Sequence, residues 1–470
     1  MFQRSLLSDS DIQPLADGVF SVLEKVGVLC QNNEILKALD LKGARVDYVQ
    51  GTCKFPRRMQ EEFFEKIRNR ESKDHRVVQK FHPPPLPQLE TQVAQFIYDY
   101  RKNERRSGNK RDFIDLVKLG ESLHPELGVG HSLLLTDVPA IIEPLEAALI
   151  LAEYSRKPLP AFAWNVRQID YLVEMGNVLG FKNWFSWGAI CFAHPLRWDR
   201  DTADKFVRRV KSGYPTGLTA MPVAGVTAPV TVAGFIVVAS AEFFATWIAA
   251  RTLNENVDLE GSMWAGTIDM RTGSTSYSAP DAMLYSFATS EFIRRWCGKE
   301  VPVGGGEYCD AKLPGLYAAL EKAYKAMTIA AFTGHHPPVG QGMLEGGKTI
   351  CPVQLLLERE LGVGVQIYGR QIDITPDTIA LDTILDIGFG LGKNYLQARH
   401  TLHHYRNSLW IPELIDRSGW NGFENERKIL EKTQERVEDL VAAYEKPEVD
   451  SDKLASMREI ANRARRELLR

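Results

Sequence analysis

Apolar residues recur at three- and four-residue spacing from Ile12 to Val26, just behind Asp9, Ser10 and Asp11, which can cap a helix. That spacing predicts an amphipathic helix. A second helix is expected from Arg57 to Arg70, after Lys54-Phe55-Pro56, and a helix pair at 89–103 and 111–120. Between them lies His82-Pro83-Pro84-Pro85-Leu86-Pro87-Gln88. Proline fixes φ and removes a donor, so this stretch is read as an extended or turning connector.

From about residue 127 the texture changes. Short apolar runs at 128–136, 160–165, 184–193, 216–224, 259–268, 301–308, 339–344 and 362–368 alternate with helical stretches. The helices are expected at 139–155, 166–179, 199–212, 231–253, 280–298 and 313–333. Strand–helix alternation predicts a parallel sheet with crossover helices. About eight such units predict closure, giving the α/β class and a (β/α)8 TIM barrel. The division that follows is an N-terminal helical extension at 1–125, a barrel catalytic domain at 126–422 and charged C-terminal helices at 423–470. Those last helices read either as a solvated terminal pair or as a subunit or partner contact.

Composition narrows the class. The 470 residues are 44% apolar and 25% charged, with a net charge of -3, ample for a large core. The charge balance speaks against a nucleic-acid surface, which needs a basic face. A local group of Arg101, Lys102, Arg105, Arg106, Lys110 and Arg111 reads as solvated surface. Six scattered cysteines without a CxxC pair are not a disulfide framework. The opening Met1-Phe2-Gln3-Arg4 lacks the apolar run of a signal peptide. A cytoplasmic location is expected. Residues 223–250 are long and apolar enough to span a bilayer, but they contain Pro229 and Glu242. A turn followed by a buried helix is the better reading, and no membrane contact is expected.

In a barrel of this kind chemistry gathers at the C-terminal ends of the strands. Trp164, Trp187, Trp264, Tyr277 and Tyr308 fall there. Aromatic faces hold a quaternary ammonium, which has no N–H to donate, by cation–π attraction. Two pairs at strand ends, Asp269 with Arg271 and Asp310 with Lys312, have the spacing of residues on one strand face. Either pair could anchor a substrate carboxylate or form a plain ion pair. His335 and Glu345 complete the candidates. Cys309, His335 and Cys351, or the histidines of His400-Thr401-Leu402-His403-His404, raise the question of zinc. Their spacing is no metal signature, and no metal site is expected. Gly304-Gly305-Gly306 and Gly388-Phe389-Gly390-Leu391-Gly392-Lys393 lack the phosphate-loop frames. Close backbone approach to a planar partner, or tight turns, explains them better. No GxSxG or HExxH occurs.

Several blocks together resemble the trimethylamine methyltransferase family of corrinoid-dependent enzymes. They are the VFSVLEKVGVLCQNNEILKAL, GARVD and KFP segments near the N-terminus, and MPVAGVTAPVTVAGFIVVASAEFFA at 221–245. Further on come GTIDMRTGSTSYSAPDAML at 266–284, CDAKLPGLYAALEKA at 309–323, GQGMLEGG at 340–347 and ARHTLHHYRNSLWIPELIDR at 398–417. The resemblance implies a (β/α)8 barrel and methyl transfer to the cobalt of a separate corrinoid protein, with no tightly bound cofactor of its own. Archaeal members carry pyrrolysine near the region equivalent to 334–345, whereas every position here is a standard amino acid. Relatives without pyrrolysine look like demethylases of quaternary amines, glycine betaine being the best known. On that footing Trp164, Trp187, Trp264 and Tyr277 are candidates for the cation cage, with Tyr308 beside them. Arg271, Lys312 or His335 are candidates to hold a carboxylate, and Asp269, Asp310 and Glu345 to orient those groups or face the ammonium. A homo-oligomer is expected. The alternatives are a zinc-dependent corrinoid methyltransferase, a demethylase of another methylated amine, and a betaine-binding sensor without activity.

Overall fold

The computed structural model describes residues 5–71, 85–333, 337, 340–420 and 425–470. His335 and part of the proline-rich connector therefore lie outside the described residues. The fold is mixed α/β, with long helices around short strands.

Helix Asp9–Lys25 buries Leu15, Val19, Phe20 and Leu23, the apolar stripe read from the sequence. Helices Asn33–Leu41 and Arg57–Glu71 follow. The N-terminal region also carries three-residue strands, Val28–Cys30, Arg45–Asp47 and Thr52–Lys54, which join Arg197–Trp198 in one small sheet. Three residues are too few to leave a periodic signal, which is why only helices were expected there.

The expected helix at 89–103 is not formed. Phe96–Asp99 and Glu104–Ser107 are strands instead, paired antiparallel. Leu89, Val93, Phe96, Ile97 and Tyr100 imitate helical spacing, yet Phe96–Asp99 is held as a strand by Glu104–Ser107 on one side and Thr349–Ile350 on the other. The expected strand at 362–368 is also replaced. Helix Pro352–Gln366 runs through it and ends in a 3-10 turn, Ile367–Gly369. Its glycines are packing positions: a Cβ on Gly364 would stand 3.2 Å from the Trp410 ring, and one on Gly362 3.1 Å from Leu86.

From residue 89 onward, apart from local antiparallel hairpins, successive extended segments contact one another in chain order. Ala94 bridges Leu133, Val129 bridges Pro158, and Phe162 bridges Ser186. The Thr219 amide donates to the Ile190 carbonyl at 2.9 Å. Thr216–Ala220 pairs with Leu259–Met263 over five residues, and Met263 bridges Val303. The Gly340 amide reaches the Gly306 carbonyl at 3.5 Å. Met343–Leu344 turns back as Thr349–Ile350, which pairs in parallel with Phe96–Asp99. The named strands form sheets of four, three, four and two members.

Helix Val232–Leu253 is long and apolar enough to cross a membrane, but 72% of its apolar window is buried inside the protein. It packs on Asp9–Lys25, Pro280–Cys297 and Thr216–Ala220. Its buried Glu242 accepts from His194 Nδ1 and from the Leu196 amide, both at 2.8 Å. A charge so partnered belongs to a protein core.

The C-terminal helices Asn425–Ala442 and Ser451–Leu468 are not a solvated pair. Leu454, Met457, Ile460, Ala461 and Ala464 join the core beneath Val166–Leu179. Lys446 and Arg458 both bind Glu153, at 2.7 and 3.0 Å. The charges that made these helices look solvated tie them to the body.

Candidate active site

The strand Thr216–Ala220 alternates buried and half-buried positions. It packs against helix Val232–Leu253. In its neighbour Leu259–Met263 and the residue after it, Ser262 and Trp264 are half-buried. A cavity of about 590 Å³ opens there, with Glu90, Gln92, Trp264, Glu307 and Gln341 on its wall.

Trp264 is fixed on several sides. Its Nε1 donates to Ser262 Oγ at 3.1 Å, and Ser262 in turn meets Thr219 Oγ1 at 3.3 Å. The indole lies on the backbone of Gly304, where an added Cβ would come within 2.0 Å of Cε2. One glycine of the 304–306 run thus admits a planar side chain of this same chain. The Tyr308 ring stands 4.9 Å from the indole at 58°. Tyr277 packs on Gly266, 2.9 Å from the position a Cβ there would occupy. Burial pushes the phenols of Tyr277 and Tyr308 up, and Tyr308 also feels Glu307, Cys191 and Tyr277. Trp264, Tyr277 and Tyr308 are therefore brought together.

Beside them lie groups that sequence reasoning missed. Burial raises the Glu307 carboxyl, and the nearby Lys325 ammonium partly opposes this. Burial likewise lowers Lys325 to about 8. Its Nζ donates to the Tyr277 carbonyl. Cys191 is solvent-accessible, yet it is surrounded by enough protein to push its thiol up to about 11. That combination describes the wall of a deep recess rather than an outer surface.

The other candidates are dispersed. Trp164 is 39% exposed, its ring 4.3 Å from Phe162. Its Nε1 donates to buried Glu143 at 2.9 Å, which also accepts from the Leu135 amide and pairs with His131 Nε2. The Phe162 amide donates to His131 Nδ1, leaving Nε2 as the donor to Glu143. Trp187 points the other way, into the core between Phe185 and Tyr214. Asp269 and Arg271 hold each other at 3.0 Å, with the Arg271 side chain 88% exposed, and the guanidinium keeps the Asp269 carboxyl low. Asp310, by contrast, stays beside the group: it accepts from Ser276 Oγ, next to Tyr277, and lies within electrostatic reach of Lys325, while Lys312 is exposed. Glu345 is taken by Arg105 at 2.7 Å and by Thr349 at 3.0 Å. His335 lies outside the described residues.

Cys309 and Cys351 share a buried apolar cluster, and burial pushes their thiols up to about 11 and about 12. Among the described residues no group of three His, Cys, Asp or Glu gathers as a metal site.

A concave, mostly apolar recess with a few convergent polar groups between parallel strand ends is the site an α/β enzyme offers a small organic molecule. The chain belongs to the trimethylamine methyltransferase family, whose model matches residues 2–468. A trimethylamine methyltransferase of Methanosarcina mazei is 27% identical over 59% of this chain, a match covering 55% of that protein. The glycine betaine methyltransferase of Desulfitobacterium hafniense is 22% identical over 95% of this chain and 94% of its own length. A trimethylamine methyltransferase of the same species is 20% identical, over 87% and 84%. The chain thus spans about half the length of the archaeal relatives it matches, and nearly all of the glycine betaine enzyme.

Proposed function

We propose that this chain is a (β/α)8-barrel methyltransferase that takes a methyl group from a quaternary amine, glycine betaine first among them, and passes it to the Co(I) of a separate corrinoid protein. The order of pairing supports the barrel. Segments near 94, 130, 160, 187, 218, 261, 303 and 341 contact one another in sequence, and the hairpin after the last returns to the first. The near full-length match to a glycine betaine methyltransferase supports the substrate.

One observation carries the chemistry: the Trp264 and Tyr308 rings stand together beside buried Glu307. Aromatic faces attract a permanent cation, more strongly when water is excluded. The arriving cation favours the ionised form of Glu307. The partner supplies the nucleophile, Co(I). As the carbon–nitrogen bond breaks, its electron pair stays on nitrogen and the methyl group passes to cobalt. The amine departs neutral, so no general acid is required. This chain's tasks are to hold the cation, to aim one methyl group outward and to keep water away.

The test is an anaerobic assay with reduced corrinoid protein and a panel of quaternary and tertiary amines, following loss of the Co(I) absorbance. Methylation with a quaternary amine is expected. Trp264→Ala should weaken substrate binding about 30-fold, the equivalent of about 2 kcal/mol for a desolvated cation–π contact. Inertness toward every quaternary amine, or unchanged affinity in the Trp264 variant, would sink the reading.

A further inference from the structure

Three lysines of the described chain are buried: Lys205, Lys322 and Lys325. Lys322 is ion-paired with Glu358. Lys325 donates to the Tyr277 carbonyl and lies near Glu307. Lys205, on helix Arg200–Lys211, is 6% exposed and has no hydrogen-bond or ion-pair partner among the described residues. A buried ammonium without a counter-charge is costly, and the cost is ordinarily met by pairing.

The surroundings of Lys205 point inward. Its Nζ stands 5.2 Å over the Phe162 ring, and Phe162 itself rests on the backbone of Gly188, where a Cβ would come within 1.9 Å of the ring. Its other electrostatic neighbours are Cys191, Arg209 and Asp199. Cys191 is the accessible residue that Tyr277 and Tyr308 also feel. Accessible Cys191 is thus within electrostatic reach both of Lys205 and of the Tyr277 and Tyr308 phenols, and Lys205 brings a positive charge with no contacting partner to that side of the aromatic group.

We propose that Lys205 is the anion anchor of this recess and selects methylated amines that carry a carboxylate. The inference rests on the quaternary-amine reading above and adds to it the residue that distinguishes a betaine from choline or trimethylamine. The substrate's ammonium group lies against Tyr308 and Trp264, and its carboxylate supplies the contacting partner that Lys205 lacks, Asp199 being only a distant counter-charge. Burial lowers Lys205 to about 8, so it is charged at neutral pH but gains from an anionic partner.

The experiment is calorimetric titration at pH 7 of glycine betaine and of choline, which keeps the cationic head but has a hydroxyl in place of the carboxylate. Wild type, Lys205→Met and Lys205→Arg are compared, with folding checked by circular dichroism. Wild type should bind betaine at least about tenfold tighter than choline, and Lys205→Met should lose about ten- to a hundredfold for betaine while choline changes little. Lys205→Arg should keep the preference. Equal binding of the two ligands by wild type overturns the inference without any variant. Unchanged betaine affinity in Lys205→Met, or equal losses for both ligands, overturns it as well. If neither ligand binds wild type, the quaternary-amine reading itself fails and takes this inference with it.

Discussion

The indole of Trp264 lies flat enough on Gly304 that no side chain fits between them: a Cβ at 304 would sit 2.0 Å from Cε2 and 2.2 Å from Nε1. The backbone of Gly304 is outside the left-handed region, so alanine is refused there by space alone. Gly304→Ala should therefore push the indole off Tyr308 and cost about 1–3 kcal/mol of stability, as overpacking does. Betaine affinity should fall at least as far as in Trp264→Ala. Thermal melts and calorimetry check both, and a variant with wild-type affinity would show that the ring position does not matter.

Lys322 and Glu358 form an ion pair with both side chains wholly buried. Glu358 also accepts from the Gln341 and Gly342 amides at 2.8 and 2.7 Å, and from Gln354 Nε2 at 2.7 Å. It thereby ties helix Pro352–Gln366 to the loop that places Gln341 on the cavity wall, where Gln341 donates to Glu90 at 2.6 Å. Removing one partner strands the other, so Glu358→Ala should cost about 3–5 kcal/mol. Lys322→Met should cost less, because the amide donors still serve the carboxylate. The double variant should lose less than the sum. Denaturant unfolding measures all three, and additive losses would argue against the pairing.

How far the sequence could be read follows from these residues. Five aromatic residues are legible at strand ends; Trp264, Tyr277 and Tyr308 do come together, whereas Trp164 and Trp187 do not, because the sequence does not record which face of a strand each ring takes. Helix Val166–Leu179 was legible to the residue, since Asn165 caps it through the Arg167 amide and Gly180 ends it in the left-handed region. The segment around Phe96 was not, because its apolar spacing suits a helix as well as a strand, and only its neighbours decide. Asp269 and Arg271 were legible as a pair with two readings, substrate anchor or plain ion pair, and the structure shows the ion pair. Lys205 was hidden among the other charges of Arg-Asp-Thr-Ala-Asp-Lys-Phe-Val-Arg-Arg-Val-Lys, a helix expected from the sequence without any of its charges being singled out. Which charge turns inward is set by the angle at which the helix meets the strands, and no local pattern records that.

The terminal helix Ser451–Leu468 gives a direct test of docking against solvation. Met457 is fully buried among Leu172, Met175 and Ala461 of its cluster. Met457→Ala should cost about 2–5 kcal/mol, as for any large-to-small change in a packed core. The exposed neighbour Ser456→Ala should cost under about 0.5 kcal/mol. Similar small effects from both would overturn the docking of this helix against Val166–Leu179.

The last prediction follows from the direction in which Lys205 is shifted. Burial lowers its ammonium to about 8, with Arg209 adding to the effect and Asp199 opposing it. The Cys191 thiol, pushed up to about 11, is protonated throughout the range of interest. A lysine with a lowered value is charged below it and neutral above it. A carboxylate is bound by the charged form only, so betaine affinity should be flat below pH 7 and weaken through pH 8 to 9. Well above that value it should fall about tenfold per pH unit until the remaining contacts set a floor. Binding near pH 8 must draw in a proton, visible as a buffer-dependent heat. Lys325, also lowered to about 8, could mimic this profile through Glu307. Lys205→Arg separates the two, because a guanidinium stays charged across the range. The betaine profile should flatten in that variant and persist if Lys325 is responsible, while choline, lacking the carboxylate, should show no dependence on Lys205 at all.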